Sequence, residues 1–166
     1  MVVRAPGFQA RARRARTPRS SQLVLAVVVA LAFAAPAAAT QPQPQQFRTI
    51  GQLTGADTAA GTWTGAGLIE GTGTYTETFR FAGGTIHAQK VLVSPAGTIV
   101  LETRGVVVWL DACTVGFKAG SWHISEATGT YAGLQGGGTP NTTVESFGNV
   151  CTGAIDVVHV GAAHDA

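Results

Sequence analysis

The chain predicts an all-β protein, an antiparallel eight-stranded β-barrel, with a β-sandwich as the alternative. Three observations lead there. From Phe47 onward Thr, Val, Ile, Tyr, Phe and Trp alternate with glycine-rich breaks, a strand-and-turn composition. No window places apolar residues at helical spacing over three turns, so crossover helices are not expected. The strands are short and evenly punctuated, and a chain with few charges to guard strand edges favours a barrel, which has none.

The first 39 residues stand apart. Residues 1–20 hold six arginines and no acid, and "LVLAVVVALAFAA" follows from Leu23 to Ala35, then Pro36 and three alanines. A basic region, an apolar run of about 7–15 residues and small residues before a cut describe a signal peptide, with cleavage expected after Ala39. A spanning helix needs about 20 apolar residues, and Pro36 ends this run sooner. An uncleaved anchor is the alternative. Arg13-Arg14 lacks the flanking context of twin-arginine export, so ordinary secretion is expected, with no stable membrane span after cleavage.

Loss of the leader inverts the charge. Six of the eleven basic residues lie in it, leaving five against nine acids and a net charge of −4. Five scattered cations do not make a phosphate-tracking surface, so no nucleic-acid partner is expected. The mature chain of about 127 residues suits one domain.

Thr40 to Gln46, "TQPQPQQ", reads as a Pro/Gln-rich spacer, and the barrel domain is expected over 47–160. In "TYTETFRF", Tyr75, Glu77, Phe79 and Phe81 share one face. "AGG" at 82–84 turns the chain into "TIHAQKVLV", and "SPAG" at 94–97 turns it again. Residues 98–110 read as one long strand relaxed at Gly105, and the parity change between Phe117 and Trp122 places a bulge near Gly120. "AIDVVHV", 154–160, closes the domain, and 161–166 are expected to be a disordered tail.

Cys113 and Cys151 are the only cysteines. In an exported chain they are expected to form a disulfide, with two unpaired buried thiols as the alternative. Histidines 87, 123, 159 and 164 show no metal-ligand spacing, so no metal and no cofactor is expected. Asp111 and Asp156 read as solvated. The glycine-rich stretches at 71–75 and 129–139 lack the Lys-Ser/Thr and the βαβ setting of a phosphate loop. "NTT" at Asn141 is a formal glycosylation sequon.

Three stretches in order carry a resemblance: "TWTGAGLIEGTGTYTETF" (62–79), "AGTIVLETRG" (96–105) and "GSWHISEATGTYAGLQGGGT" (120–139). Together they resemble the allene oxide cyclase-like barrels, above all small bacterial secreted domains of unknown function in that superfamily, and more faintly the plant dirigent proteins. The resemblance implies a closed barrel that is often oligomeric, so a homo-oligomer is an expectation here. It also implies that the 127–139 segment lies at the closing seam, with Tyr131 and Leu134 plugging the interior.

Candidate chemistry is sparse. If the Tyr75–Phe79 face lines the lumen, Glu77 is a desolvated acid able to donate or accept a proton, the one candidate catalytic residue. Otherwise it is solvated or pairs with an arginine. Tyr75, Phe79, Trp109 and Tyr131 are the candidate ligand-binding residues, while Trp63 and Trp122 read as core. The leading expectation is a secreted barrel that binds a small apolar ligand or a protein partner. The alternatives are a cyclase or isomerase of a hydrophobic substrate inside the barrel, and a structural extracellular protein with a filled one.

Overall fold

The structure is a computed structural model that describes residues 40–140 and 147–166. The expected leader, residues 1–39, and the Asn141 sequon lie outside the described residues. Nine strands follow one another: β1 (Gln43–Leu53), β2 (Thr58–Ala66), β3 (Gly71–Ala82), β4 (Thr85–Ser94), β5 (Gly97–Trp109), β6 (Thr114–Ala127), β7 (Leu134–Pro140), β8 (Phe147–Asn149) and β9 (Ala154–Asp165). Short 3-10 turns at Gly67–Ile69 and Gly129–Tyr131 interrupt the series.

Each strand pairs antiparallel with its neighbour, and β1 returns to pair with β9, from Gln43 opposite Ala163 to Gln52 opposite Ala154. That pairing closes the barrel and removes the sandwich alternative. β7 and β8 occupy one position between β6 and β9: β7 runs beside Trp122 and His123, β8 beside residues 114–116. Nine segments thus build an eight-position barrel.

Both ends of the domain reach further than the composition implied. β1 begins at Gln43, inside the stretch expected as spacer, because Gln45 falls on the inward parity of Phe47 and Thr49 and is buried there. Its Oε1 accepts from the Ile69 backbone N–H at 2.9 Å, which satisfies one side of an otherwise costly buried amide. The expected tail is likewise strand: 161–165 continue β9, where small residues pair with β1 and β7. The glycine and alanines of "GAAHDA" carry little strand propensity, and the sheet on both sides overrides it.

The turns follow the sequence reading. Gly83 and Gly84 both take positive φ, 58° and 78°, as a two-residue hairpin turn between right-twisted strands requires. On β5–β6 the register shifts between Arg104 and Val106, where 118–121 bulge opposite Gly105 and Ala119 adopts φ 50°.

Two tryptophans lock one end of the barrel in the same way. Trp63 on β2 faces Gly73 on β3 and reaches across it to donate to the Val93 carbonyl of β4 at 3.2 Å. Trp122 on β6 faces Gly138 on β7 and reaches across it to the Val160 carbonyl of β9 at 3.1 Å. Each glycine leaves the space the indole crosses, since a Cβ there would stand 2.8 Å (Gly73) or 2.9 Å (Gly138) from the indole nitrogen. A glycine-rich seam is therefore a slot for a large ring. Phe47 packs edge-on against Trp122 between these brackets, and Ile69, Leu92, Ile99, Leu101 and Leu134 fill the rest.

Cys113 and Cys151 form a disulfide 38 residues apart in sequence. It joins the β5–β6 turn to the β8–β9 turn, each set by a side-chain oxygen. Asp111 Oδ1 accepts from the N–H groups of Cys113 and Thr114, which holds its carboxyl below the usual value, and Asn149 Oδ1 accepts from those of Cys151 and Thr152.

Two outcomes follow for stability. Replacing both cysteines by serine lowers the unfolding free energy by about 4 kcal/mol, the loop-closure value for this separation, in denaturant titration. Gly138→Ala costs about 1–3 kcal/mol or more, because the added Cβ would collide with the Val160 carbonyl oxygen as well as with the indole, whereas Gly84→Ala, with open space around it, loses only what its positive φ demands.

Candidate functional site: an apolar cup with a charged floor

Inward positions differ in size along the barrel axis. Toward the end capped by the two 3-10 turns they are aromatic or long aliphatic, and Tyr131 plugs that end with its hydroxyl donating to the Glu70 carbonyl at 2.9 Å. Toward the other end the inward residues Ala59, Ala88, Thr103, Gly105, Val115 and Val157 are small, interspersed with the larger Phe79, Ile86 and Phe117. Small side chains leave this half unfilled. The result is a cup of about 230 Å3, walled by Phe79, Ile86, Phe117 and Val157 and open to solvent at a rim that includes Leu53, Phe81 and Val150.

At its floor sits an ion pair. Lys90 on β4 lies directly opposite Glu77 on β3, with Nζ 3.4 Å from the Glu77 carboxylate, and the two residues are 1% and 9% exposed. Lys90 Nζ also donates to Thr49 Oγ1 on β1 at 2.9 Å and lies 3.5 Å from His159 Nε2 on β9. The Tyr75 ring is beneath it, 4.9 Å from the ammonium. Three hydrogen-bond directions and one aromatic face hold a single cation, the compensation a buried charge requires.

The neighbours titrate accordingly. Burial pushes the Lys90 ammonium below its usual value, opposed by Glu77. Burial, and then the Lys90 charge, holds the His159 imidazole well below 6.5, so it is neutral at pH 7. A neutral His159 whose Nε2 faces an ammonium accepts there and carries its proton on Nδ1, which is buried without a partner. Its ring stacks on Phe47 at 4.4 Å. Burial, then Glu77 and Asp156, pushes the Tyr75 phenol far above its usual value, and its hydroxyl also lacks a partner.

The site residues expected from sequence divide. Glu77 and Phe79 line the cup. Tyr75 shares their parity but belongs to the packed half, under the floor. Tyr131 is at the opposite, plugged end and does not reach the cup. Trp109 is 64% exposed: it keeps the inward parity, but β5 runs on beyond the end of β4, whose pairing stops at Thr85 opposite Val106, so parity there no longer means interior. Trp63 and Trp122 are core as expected, and Asp111 is exposed at its turn.

Lys90 and His159 are the residues the sequence reading missed. A signal for Lys90 was present. With Gly83-Gly84 as a two-residue turn, counting back along both strands puts Glu77 opposite Lys90, and the parity of Ile86, Ala88 and Leu92 turns Lys90 inward. The partner of Glu77 is thus a lysine, not an arginine.

His159 gives the fold a specific pH dependence. The unfolded chain binds its proton near 6.5 while the folded chain resists it, so this stability is present above pH 6.5 and is lost as pH falls below it. The expected loss is about 1.4 kcal/mol per pH unit between roughly pH 6 and the lowered folded value, measured by denaturant unfolding. His159→Gln removes that slope.

Among the described residues no group of three or more His, Cys, Asp or Glu side chains could hold a metal ion. No family model, no curated protein and no solved structure matches this chain.

Proposed function

We propose that this is an exported binding protein that takes one small, largely apolar molecule into the cup, polar end against Glu77 and Lys90. The observation that carries this reading is the unequal filling of the barrel. One half is packed to the axis, and the other holds an apolar space of about 230 Å3 ending in a buried polar floor. An apolar cavity of about 150 Å3 suffices for a benzene ring, and pockets with apolar walls and few polar anchors are the usual form of small-molecule sites. The disulfide is compatible with maturation outside a reducing compartment. Kinship with the allene oxide cyclase-like barrels rests on the three stretches quoted above, with which a closed barrel is compatible.

A second reading, a cyclase or isomerase of a hydrophobic substrate, draws support from Glu77, whose carboxylate lines the same space. A purely structural role for the barrel would require no such space.

The test is binding of a plain amphiphile. At about 0.8 kcal/mol per buried methylene, a six-carbon alcohol gains about 5 kcal/mol, so 1-hexanol is expected to bind with a Kd on the order of 0.1–1 mM by calorimetry. Val115→Trp, which fills the cup from its wall, lowers that affinity at least tenfold with the melting temperature kept within a few degrees. No binding by the parent protein, or binding indifferent to Val115→Trp, refutes the proposal.

A further inference from the structure

We propose that Lys90 is an imine-forming residue, and that the molecule taken into the cup is a small hydrophobic aldehyde or ketone. This rests on the cup being a binding site and names the chemistry at its floor.

The floor's charge count selects the head group. Lys90 and Glu77 are one cation and one anion, His159 is neutral, and all three border the cup. A carboxylate head would place a second anion beside Glu77 with no further cation at that depth, since Arg104, the other cation bordering the cup, is exposed. An ammonium head would meet Lys90. A neutral head group leaves the balance intact, and of the neutral groups a carbonyl is the one a lysine amine can capture covalently.

The position of the amine suits that capture. Thr49, Glu77 and His159 approach Nζ from β1, β3 and β9, and these contacts fix the nitrogen at the base of an apolar funnel. The side chain of a long flexible residue is thereby set in one place before any ligand arrives. Burial disfavours the ammonium and so favours the nucleophilic free amine. Glu77 is near enough to take the proton that must leave.

The reaction balances within these groups. The Lys90 ammonium passes a proton to the Glu77 carboxylate, and the freed lone pair adds to the carbonyl carbon as the C=O π pair moves to oxygen. Oxygen takes the proton from the Glu77 carboxyl, and the carboxylate then removes one from nitrogen, leaving a neutral carbinolamine. That proton returns to the hydroxyl, which departs as water through the open rim as the C=N bond forms. One ammonium and one carbonyl become one protonated imine and one water, with no oxidant or reductant. The iminium keeps its positive charge opposite Glu77, so the floor is as balanced after the reaction as before.

The chain supplies its own control, because Lys118, the only other lysine, is exposed on β6. The purified protein is incubated with hexanal and sodium cyanoborohydride, and alkylation at each lysine is followed by peptide mass mapping. Lys90 is expected to be trapped at least tenfold faster than Lys118, and 1-hexanol is expected to slow Lys90 alone. At saturating hexanal, Glu77→Gln slows trapping of Lys90 at least tenfold. An unchanged rate in that variant overturns the proton-carrying part assigned to Glu77. Equal trapping of the two lysines, or none at Lys90, while 1-hexanol binds in the cup, overturns imine formation and leaves the binding site standing. If neither hexanal nor 1-hexanol engages the cup, both proposals fall together.

Discussion

A lysine ammonium held away from water in the middle of a β-barrel is the constraint around which this molecule is arranged. A lone charge at that depth is costly, and the remedies come from three strands: Glu77 and the Tyr75 face from β3, Thr49 from β1 and His159 from β9. β1 and β9 meet only because the barrel closes. Closure and charge compensation are therefore one event, and an open sheet would leave the lysine only what β3 supplies, the Glu77 carboxylate and the Tyr75 ring.

That charged layer also divides the interior. Below it the side chains interdigitate around two tryptophans, each bridging three consecutive strand positions through a glycine. Above it small inward residues set among Phe79, Ile86 and Phe117 leave the axis open, and the disulfide holds together the turns at that rim. Rigidity is concentrated at one end and free volume at the other. A packed core tolerates no such void cheaply, so confining it beyond the charged layer leaves the packing of the lower half undisturbed.

Much of this architecture was legible in the residues. Alternation grouped Tyr75, Glu77, Phe79 and Phe81 on one face of β3 without saying which way it pointed, the Gly83-Gly84 turn fixed its hairpin, and the parity change near Gly120 marked a bulge. Two cysteines sufficed for the disulfide. What alternation could not convey was depth along the axis. Tyr75, Glu77 and Phe79 have the same parity, yet they lie under the floor, at it and above it. Trp109 shows the limit of the rule, since parity continues after the wall has ended. The edges of the domain misled for another reason. Gln43 to Gln46 and Gly161 to Asp165 have weak intrinsic strand preference, and they are ordered by each other across the closing seam, a long-range pairing that no local window contains.

The two tryptophan bridges have a wider implication. Trp63 and Trp122 lie at the second and sixth of eight positions, half the circumference apart. In each case the residue after the bridged glycine, Thr74 or Thr139, pairs with the residue whose carbonyl accepts the indole. A 3-10 turn lies between each tryptophan and its glycine. The two halves of the barrel thus repeat one bracket of tryptophan, 3-10 turn, glycine and accepting carbonyl. Where the halves agree they hold the barrel shut, and where they differ, Lys90 on one side and Val157 on the other, one wall of the interior carries a charge and the opposite wall an apolar side chain.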